Sequence, residues 1–449
     1  MKIIETIKNI WKIEDLRTKL GITLLFILIY RFGSFIVLPG IDPSYLASLK
    51  QQTSGGLLSL LDMFSGGAFS NASIFALGIM PYISASIVVQ LLGIAVPYFQ
   101  KMQKEGESGR RKINQITRYL TVAILLFQGP SYLVNLKVQI GQAMSGIPDA
   151  LNSWGFTLPS IIILCAGSMF VMWLGERITD KGIGNGISML IMIGIIARLP
   201  QAITQEFIVK LGENGAGGPI MFLIELVVFV VVIAFAVLLV QGTRKIPVQQ
   251  AKRVIGNKQY GGVRQYLPLK VNAAGVMPII FAQAIMMVPV LFTLGNQNPG
   301  GFIRALINVE GFWHNFILAL FIIAFTYFYT AITFNHNQIA DEMKRNNSFI
   351  PGVKPGKQTS EYIDMIMSRI VLPGSIFLAI IAIMPAFARI FGITTGFSQF
   401  FGGTSLLILV GVVLDTLQQI ESHLLMRHYD GLLKSGSRIK GRSGSIAAY

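Results

Sequence analysis

Apolar residues along this chain come in long unbroken runs rather than in alternation with polar ones. About 20 consecutive apolar residues suffice to cross a bilayer as a helix. Runs of that order fall near 20–38, 74–96, 117–136, 157–174, 183–199, 220–240, 276–294, 312–333, 364–388 and 404–422. The run at 183–199 is the shortest and is marked by glycine. A bilayer offers no partner for backbone N–H and C=O groups, so such segments must close their hydrogen bonds internally. The two-residue alternation of a membrane barrel is nowhere seen. The pattern predicts an all-α polytopic membrane protein with ten transmembrane helices.

One apolar segment does not fit that rule. Residues 60–73, "LLDMFSGGAFSNAS", are too short to span. Leu60, Leu61, Phe64, Ala68 and Phe69 fall roughly on one helical face, while Asp62, Gly66 and Gly67 interrupt it. At the other extreme, residues 3–16 set Ile3, Ile7, Ile10, Trp11 and Ile13 against lysines and acids. This predicts a cytoplasmic amphipathic N-terminal helix within 1–19, lying in the membrane interface. The first run has no small-residue cleavage site and is followed by further spans, so it does not read as a removable signal.

Span 2 contains "LGIMPYI" at 77–83 and span 7 contains "AGVMPII" at 274–280. If the chain is two halves of five spans, these segments correspond. An odd number of crossings per half then forces the halves to sit inverted, with boundaries near 20–199 and 200–422. Matching Gly/Pro breaks in inverted halves point to the functional interface.

Composition narrows the picture. With 53% hydrophobic residues, 13% charged residues and a mean hydropathy of +0.61, the chain is not a soluble globular protein. Of 37 Lys and Arg, 28 fall in the segments that share a side with the N-terminus, 6 fall on the opposite side, and Arg31, Arg118 and Arg369 lie in or beside spans. That asymmetry places both termini in the cytoplasm. Two cytoplasmic loops are long, 241–275 and 334–363, and a basic tail covers 423–449. The first loop has two strand-like arms about a Gly-Asn turn and carries Arg244, Lys245, Lys252, Arg253, Lys258, Arg264 and Lys270. The second begins as a helical extension and then turns at "FIPGVKPGKQ". Excess basic charge serves topology and attraction to anionic lipids. It equally serves as a docking surface for an acidic partner such as nucleic acid or an acidic protein.

Candidate chemistry is sparse. The single Cys165 excludes a disulfide, and His314, His336, His423 and His428 form no ligand cluster. Arg31, Glu225 and Asp415 stand out as the ionisable candidates within spans, and Glu225 and Asp415 read as structural or interfacial groups before a proton relay. "GIGNG" at 182–186 has no preceding strand and reads as a flexible turn into span 5, not as a nucleotide loop. No nucleophile has a base at useful spacing, so no enzyme, cofactor or metal is expected. Ile83 with Ile87, and Ile187 with Ile191, are each four apart and share a helix face. An apolar constriction of that kind excludes water and ions by dewetting. A proton-coupled permease using Glu225 or Asp415 remains the main rival reading. An intramembrane hydrolase is the weaker one.

Four segments carry a family resemblance. "FALGIMPYISASIVVQLL" (75–92), "GERITDKGIGNGISMLI" (175–191), "IPVQQAKR" with "LPLKVNAAGVMP" (246–278) and "IPGVKPGKQTSEYI" (350–363) together resemble SecY, the channel subunit of the bacterial Sec translocase. The similarity covers essentially the whole chain. It implies a protein-conducting channel in the plasma membrane, with two inverted halves that open at a lateral gate between spans 2 and 7. The gate would be lined by Pro81, Ser86, Gln90, Gly275 and Pro278. A hydrophobic pore ring would fall on Ile83, Ile87, Ile187, Ile191, Ile280 and Ile408. A short re-entrant plug, about 57–73, would contain Leu60, Leu61, Asp62, Met63, Phe64, Ser65, Gly66, Gly67, Ala68 and Phe69. Arg244, Lys245, Lys252, Arg253, Lys258 and Lys354 would dock a SecA motor ATPase or a translating ribosome. SecE-like and SecG-like small subunits, signal sequences and unfolded secretory polypeptides complete the implied partners. Two positions depart from the family pattern. Lys354 stands where an arginine is usual, which loses a bidentate fork, and Asn257 stands where the first of two basic tip residues is usual.

Overall fold

The computed structural model describes residues 13–42, 62–144, 153–212, 218–251, 253–255, 258–260, 264–272, 274–293, 301–309 and 311–436. Every one of the ten apolar runs carries a helix. In chain order these are α1 (Glu14–Gly33), α2 (Met80–Ala95), α4 (Glu107–Met144), α5 (Trp154–Lys181), α6 (Gly186–Leu211), α7 (Gly218–Gln241), α8 (Met277–Thr293), α10 (Phe312–Thr333), α12 (Lys357–Ile390) and α14 (Gly403–Gly436). Shorter helices intervene: α3 (Pro97–Lys104), α9 (Gly301–Ile307), α11 (His336–Arg345) and α13 (Thr395–Ser398). Among the described residues seven helices are long and apolar enough to cross a membrane, or eight if α2 and α3 count as one bent span. The bend there is 101°. Its cause is local: Val96 precedes Pro97 and is driven into extended backbone.

Several ends differ from the sequence reading: α4 starts at Glu107 rather than 117, α6 runs on to Leu211 rather than 199 and α14 to Gly436 rather than 422. The expected amphipathic helix over 3–16 falls mostly outside the described residues. Its last residues, from Glu14, are already part of α1, which ends at Gly33 rather than at 38. The chain leaves that helix because residues 36–38 pair with 72–74: Leu38 N–H donates to the Ala72 carbonyl (2.9 Å) and Ile74 N–H to that of Ile36 (3.0 Å). Span 2 likewise starts late. Gly78 takes a left-handed φ of +53° and Pro81 is the second residue of α2; Gly275 takes +63° and Pro278 is the second residue of α8. The repeated G-x-M-P segment thus starts a helix in both places instead of breaking one. Glycine supplies the left-handed step and proline the preset first turn.

The two long loops build one module. Strand β1 (Thr243–Gln250) pairs antiparallel with β4 (Arg264–Lys270), in register Thr243 with Lys270, and on its other edge with β5 (Ser348–Phe349). Strands β2 (Arg253–Ile255) and β3 (Lys258–Tyr260) form the hairpin tip about the expected Gly-Asn turn, which itself lies outside the described residues. Ile246, Val248, Leu269, Met343, Ile350, Ile363, Met367 and Val371 give this module a core of its own. The expected helical extension is the separate helix α11, capped by Asn335, whose side chain accepts from Gln338 N–H at 3.2 Å.

The "GIGNG" turn is pinned, not flexible. Ile183 N–H donates to Thr23 Oγ1 (3.2 Å), Gly184 N–H donates to Gln419 Oε1 (2.9 Å), and Asn185 caps α6 through Ile187 and Ser188. Those bonds join the start of α6 to α1 and α14. Contacts between the first five spans and the last five concentrate on α6, against α7, α13 and α14. By contrast α2 packs chiefly on α4, and α8 on α10. One seam between the halves is therefore densely packed and the other is not.

Candidate channel constriction and the segment that fills it

Four helices converge on one apolar cluster. Ile191 of α6 and Ile408 of α14 are buried within it, and Ile83 of α2, Ile187 of α6 and Ile280 of α8 pack against it. Ile87 is buried as well, at 8% exposure, but is not among that cluster's residues. The same cluster contains Met63 and Ala68, with Phe64 packed on it, so the 62–69 segment belongs to the same apolar cluster as five of the six isoleucines. Leu60 and Leu61 lie outside the described residues.

What holds this short segment there is polar. Tyr30 Oη donates to the Ser65 carbonyl (3.2 Å), Arg31 Nη1 to the Gly66 carbonyl (2.9 Å) and Tyr132 Oη to the Phe69 carbonyl (3.0 Å). Asp62 accepts from Ser70 N–H (2.8 Å) and forms an ion pair with Arg198 of α6, which also donates to Ser70 Oγ (3.0 Å). Ser65 and Met63 are tied in turn, since Ser65 Oγ accepts from Phe69 N–H and Ser405 Oγ donates to Met63 Sδ (3.0 Å). Backbone lies directly on backbone at one point. A Cβ on Gly66 would come within 2.8 Å of Gly194 Cα, and Gly66 adopts φ +65°. Only glycine meets both demands.

Much of this holding set is absent from the sequence reading. Arg31 stood out as an intramembrane charge, but Arg198 counted only as a basic residue on the outer side. It lies instead inside an apolar helix, the position in which an ionisable residue is by default functional. Tyr30, Tyr132 and Gly194 carry no local signal, because their partners are 35 or more residues away.

Pro81 and Pro278 are buried near the starts of α2 and α8, and Gly275 is half-buried. Gln90 and Ser86, one turn apart on α2, bond to each other at 3.3 Å. Glu225 is buried against Lys210, while Asp415 is exposed. In the loop module Arg244, Lys245 and Lys354 are exposed, and the Lys354 carbonyl accepts from Thr359 Oγ1 (2.9 Å). Lys252 and the side chains of Arg253 and Lys258 lie outside the described residues.

Comparison with known proteins points one way. A SecY family model matches residues 73–417. A protein translocase subunit SecY of Streptomyces scabiei is 44% identical over 436 residues, covering 94% of this chain and 98% of the relative. That of Chlamydia trachomatis is 40% identical over 460 residues, covering 97% and 99%. Among solved structures, one described as the structure of a protein conducting channel superposes with a TM-score of 0.60 at 18% identity, covering 90% of this chain and 92% of the other. Sec61 in a canine ribosome-channel complex from the endoplasmic reticulum gives 0.56 at 16% identity, with the same coverage.

Proposed function

The chain belongs to the SecY family of protein-conducting channel subunits, and from that premise we propose how it conducts. It is a multi-pass protein of the plasma membrane and carries both termini on the cytoplasmic side, as the distribution of its Lys and Arg supports. Unfolded secretory polypeptides thread the ring of Ile83, Ile187, Ile191, Ile280 and Ile408, with Ile87 flanking it. Branched apolar side chains close loosely around any sequence and resist ions by dewetting. Residues 62–69 are the plug. The observation that carries this reading is that the segment's own apolar residues share one cluster with five of those isoleucines. One solved relative in fold is described as having a plug domain that stabilises the closed state and maintains a membrane seal, and the same role suits residues 62–69 here.

Spans 2 and 7 form the lateral gate. Support comes from packing: each gate helix rests chiefly on a neighbour from its own half, whereas α6 packs on α7, α13 and α14 of the other half. A signal sequence partitions between α2 and α8 into lipid and favours the open state by its greater affinity for it. The chain does no covalent chemistry of its own, so the drive comes from a SecA-type motor or a translating ribosome. SecE-like and SecG-like subunits complete the assembly. Domain limits start from the sequence reading: an interfacial helix in 1–19, halves at 20–199 and 200–422, and a basic tail at 423–449. The middle boundary moves to the end of α6 at Leu211 and the tail begins inside α14, because both helices run unbroken across the expected limits.

Docking is assigned to the β1–β5 module, which sets Lys245 and Lys354 on one folded unit with its own core. Charge reversal at both, Lys245→Glu with Lys354→Glu, is expected to weaken ribosome or motor binding about ten-fold or more. The loss should shrink as salt is raised. Co-sedimentation with proteoliposomes measures it, and unchanged binding at low salt would remove these two lysines from the docking surface.

A further inference from the structure

The segment that fills the constriction ends on a backbone step that its residue does not favour. Among the described residues two non-glycine positions have a left-handed φ, Asn347 at +49° and Ala72 at +46°. Asparagine visits that region readily. Alanine does not, because its Cβ crowds the following carbonyl. Ala72 N–H donates to the Phe69 carbonyl (3.2 Å) and Ser73 N–H to that of Ala68 (3.0 Å). Such a pair of bonds closes a helix end through a left-handed residue, and glycine is the usual occupant of that position. Alanine stands there instead, fully buried in the cluster that holds Leu38, Phe69 and Tyr132.

On one side of that step the chain is gripped by its backbone. Leu38 N–H donates to the Ala72 carbonyl and Ile74 N–H to that of Ile36, with Val37 and Ser73 bridged between them. The Phe75 ring stacks on both Tyr30 (6.2 Å between centroids) and Phe170 (5.9 Å). It fills the space that a Cβ on Gly33 would need, and the Ile74 carbonyl fills that of a Cβ on Gly167. Residues 73–75 are therefore wedged between α1 and α5. On the other side, residues 62–70 are held by the side chains of Tyr30, Arg31, Tyr132 and Arg198. Those contacts release by rotamer changes, with no helix displaced. Rotation about the Ala72 N–Cα bond divides the two sides cleanly. The Ala72 carbonyl lies beyond that bond and stays with Leu38, whereas the bond from Ser73 N–H to Ala68 is lost.

We propose that Ala72 is a strained hinge. Residues 62–71 swing away as one body about it, residues 73–75 stay in their slot, and the left-handed strain is released in the swing. The strain acts against the polar contacts that seat the segment, and so keeps the closed state from being too deep to leave. This inference rests on the reading of residues 62–69 as the plug and adds the point about which they turn.

Resting conductance of the full chain in planar bilayers reads the bias, measured in an Arg198→Met background whose seating is weakened. Ala72→Gly relieves the seated state, partly offset by the freedom glycine gains once displaced, and should lower the leak about five-fold. Ala68→Gly removes a methyl that is as deeply buried, from a residue outside the left-handed region, and should raise the leak. Amide hydrogen exchange in lipid nanodiscs locates the turning point. Between wild type and Arg198→Met, the Ser73 amide should lose protection while the Leu38 and Ile74 amides keep theirs. A leak that Ala72→Gly raises or leaves unchanged, or protection lost at Leu38 and Ile74 together with Ser73, would overturn the hinge and leave the plug reading standing. Channels as tight as wild type in both Arg198→Met and its Ala68→Gly derivative would remove the plug reading, and the hinge with it.

Discussion

Arg198→Met is expected to open a resting ion leak, raising conductance on the order of thirty-fold. In the closed arrangement Arg198 pairs with Asp62 and bonds Ser70. Asp62 has a side chain exposed by only 2%, so removing the guanidinium leaves a carboxylate without its countercharge. Breaking a fully buried pair costs about 3–5 kcal/mol. Arg198 is itself 30% exposed and partly screened, so about 2 kcal/mol is the fairer figure. That energy acts only while the 62–69 segment is seated, since Asp62 regains water on leaving. A bias of that size shifts the seated-to-displaced ratio about thirty-fold. Adding Asp62→Asn to Arg198→Met removes the stranded charge, keeps an acceptor for Ser70 N–H, and should suppress most of the leak. Conductance across planar bilayers measures both. A tight Arg198→Met channel would mean that the ion pair does not hold the segment in place.

The second large effect concerns the isoleucines. Ile191→Ser combined with Ile408→Ser is expected to raise resting conductance at least several-fold and to destabilise the closed state. Both residues are buried in the cluster that contains Met63 and Ala68. Two hydroxyls there lower the cost of wetting the constriction and remove apolar contact with the seated segment. Each shortened side chain forfeits roughly 1–3 kcal/mol of burial. Ile87→Ser should do less, because Ile87 lies outside that cluster. Equal effects at all three positions would argue for general loosening of the bundle rather than for a ring.

The contrast between these residues shows where sequence ceases to inform. The helices over the ten apolar runs were legible because each is a local statement: enough consecutive apolar residues, closed on themselves as helix. The G-x-M-P repeat was legible too, although as a helix start and not as a break, since Gly78 and Gly275 act just before the first turn. The loop arms were visible as strands. Their union with Ser348–Phe349 was not, because Gln249 pairs with Phe349 across 100 residues of chain. The pinned "GIGNG" turn failed for the same reason. Its glycines predict freedom, and only Thr23 and Gln419, brought in from distant helices, remove it. Arg198 is the instructive omission. A charge deep in an apolar helix was signal enough, but its partner Asp62 is 136 positions earlier in the numbering. The six isoleucines came from a family resemblance, and what the fold adds is that five of them belong to one apolar cluster.

The central claim is that a polypeptide in transit passes through that cluster. A photo-cross-linking residue at Ile191 tests it most directly, with controls at Leu223 and Val227, which are exposed on α7. A secretory polypeptide stalled midway through export in membranes containing this protein should cross-link from position 191 and not from the controls. A client held at the cytoplasmic loops yet silent at position 191 would contradict the account, and the conduit would have to lie elsewhere.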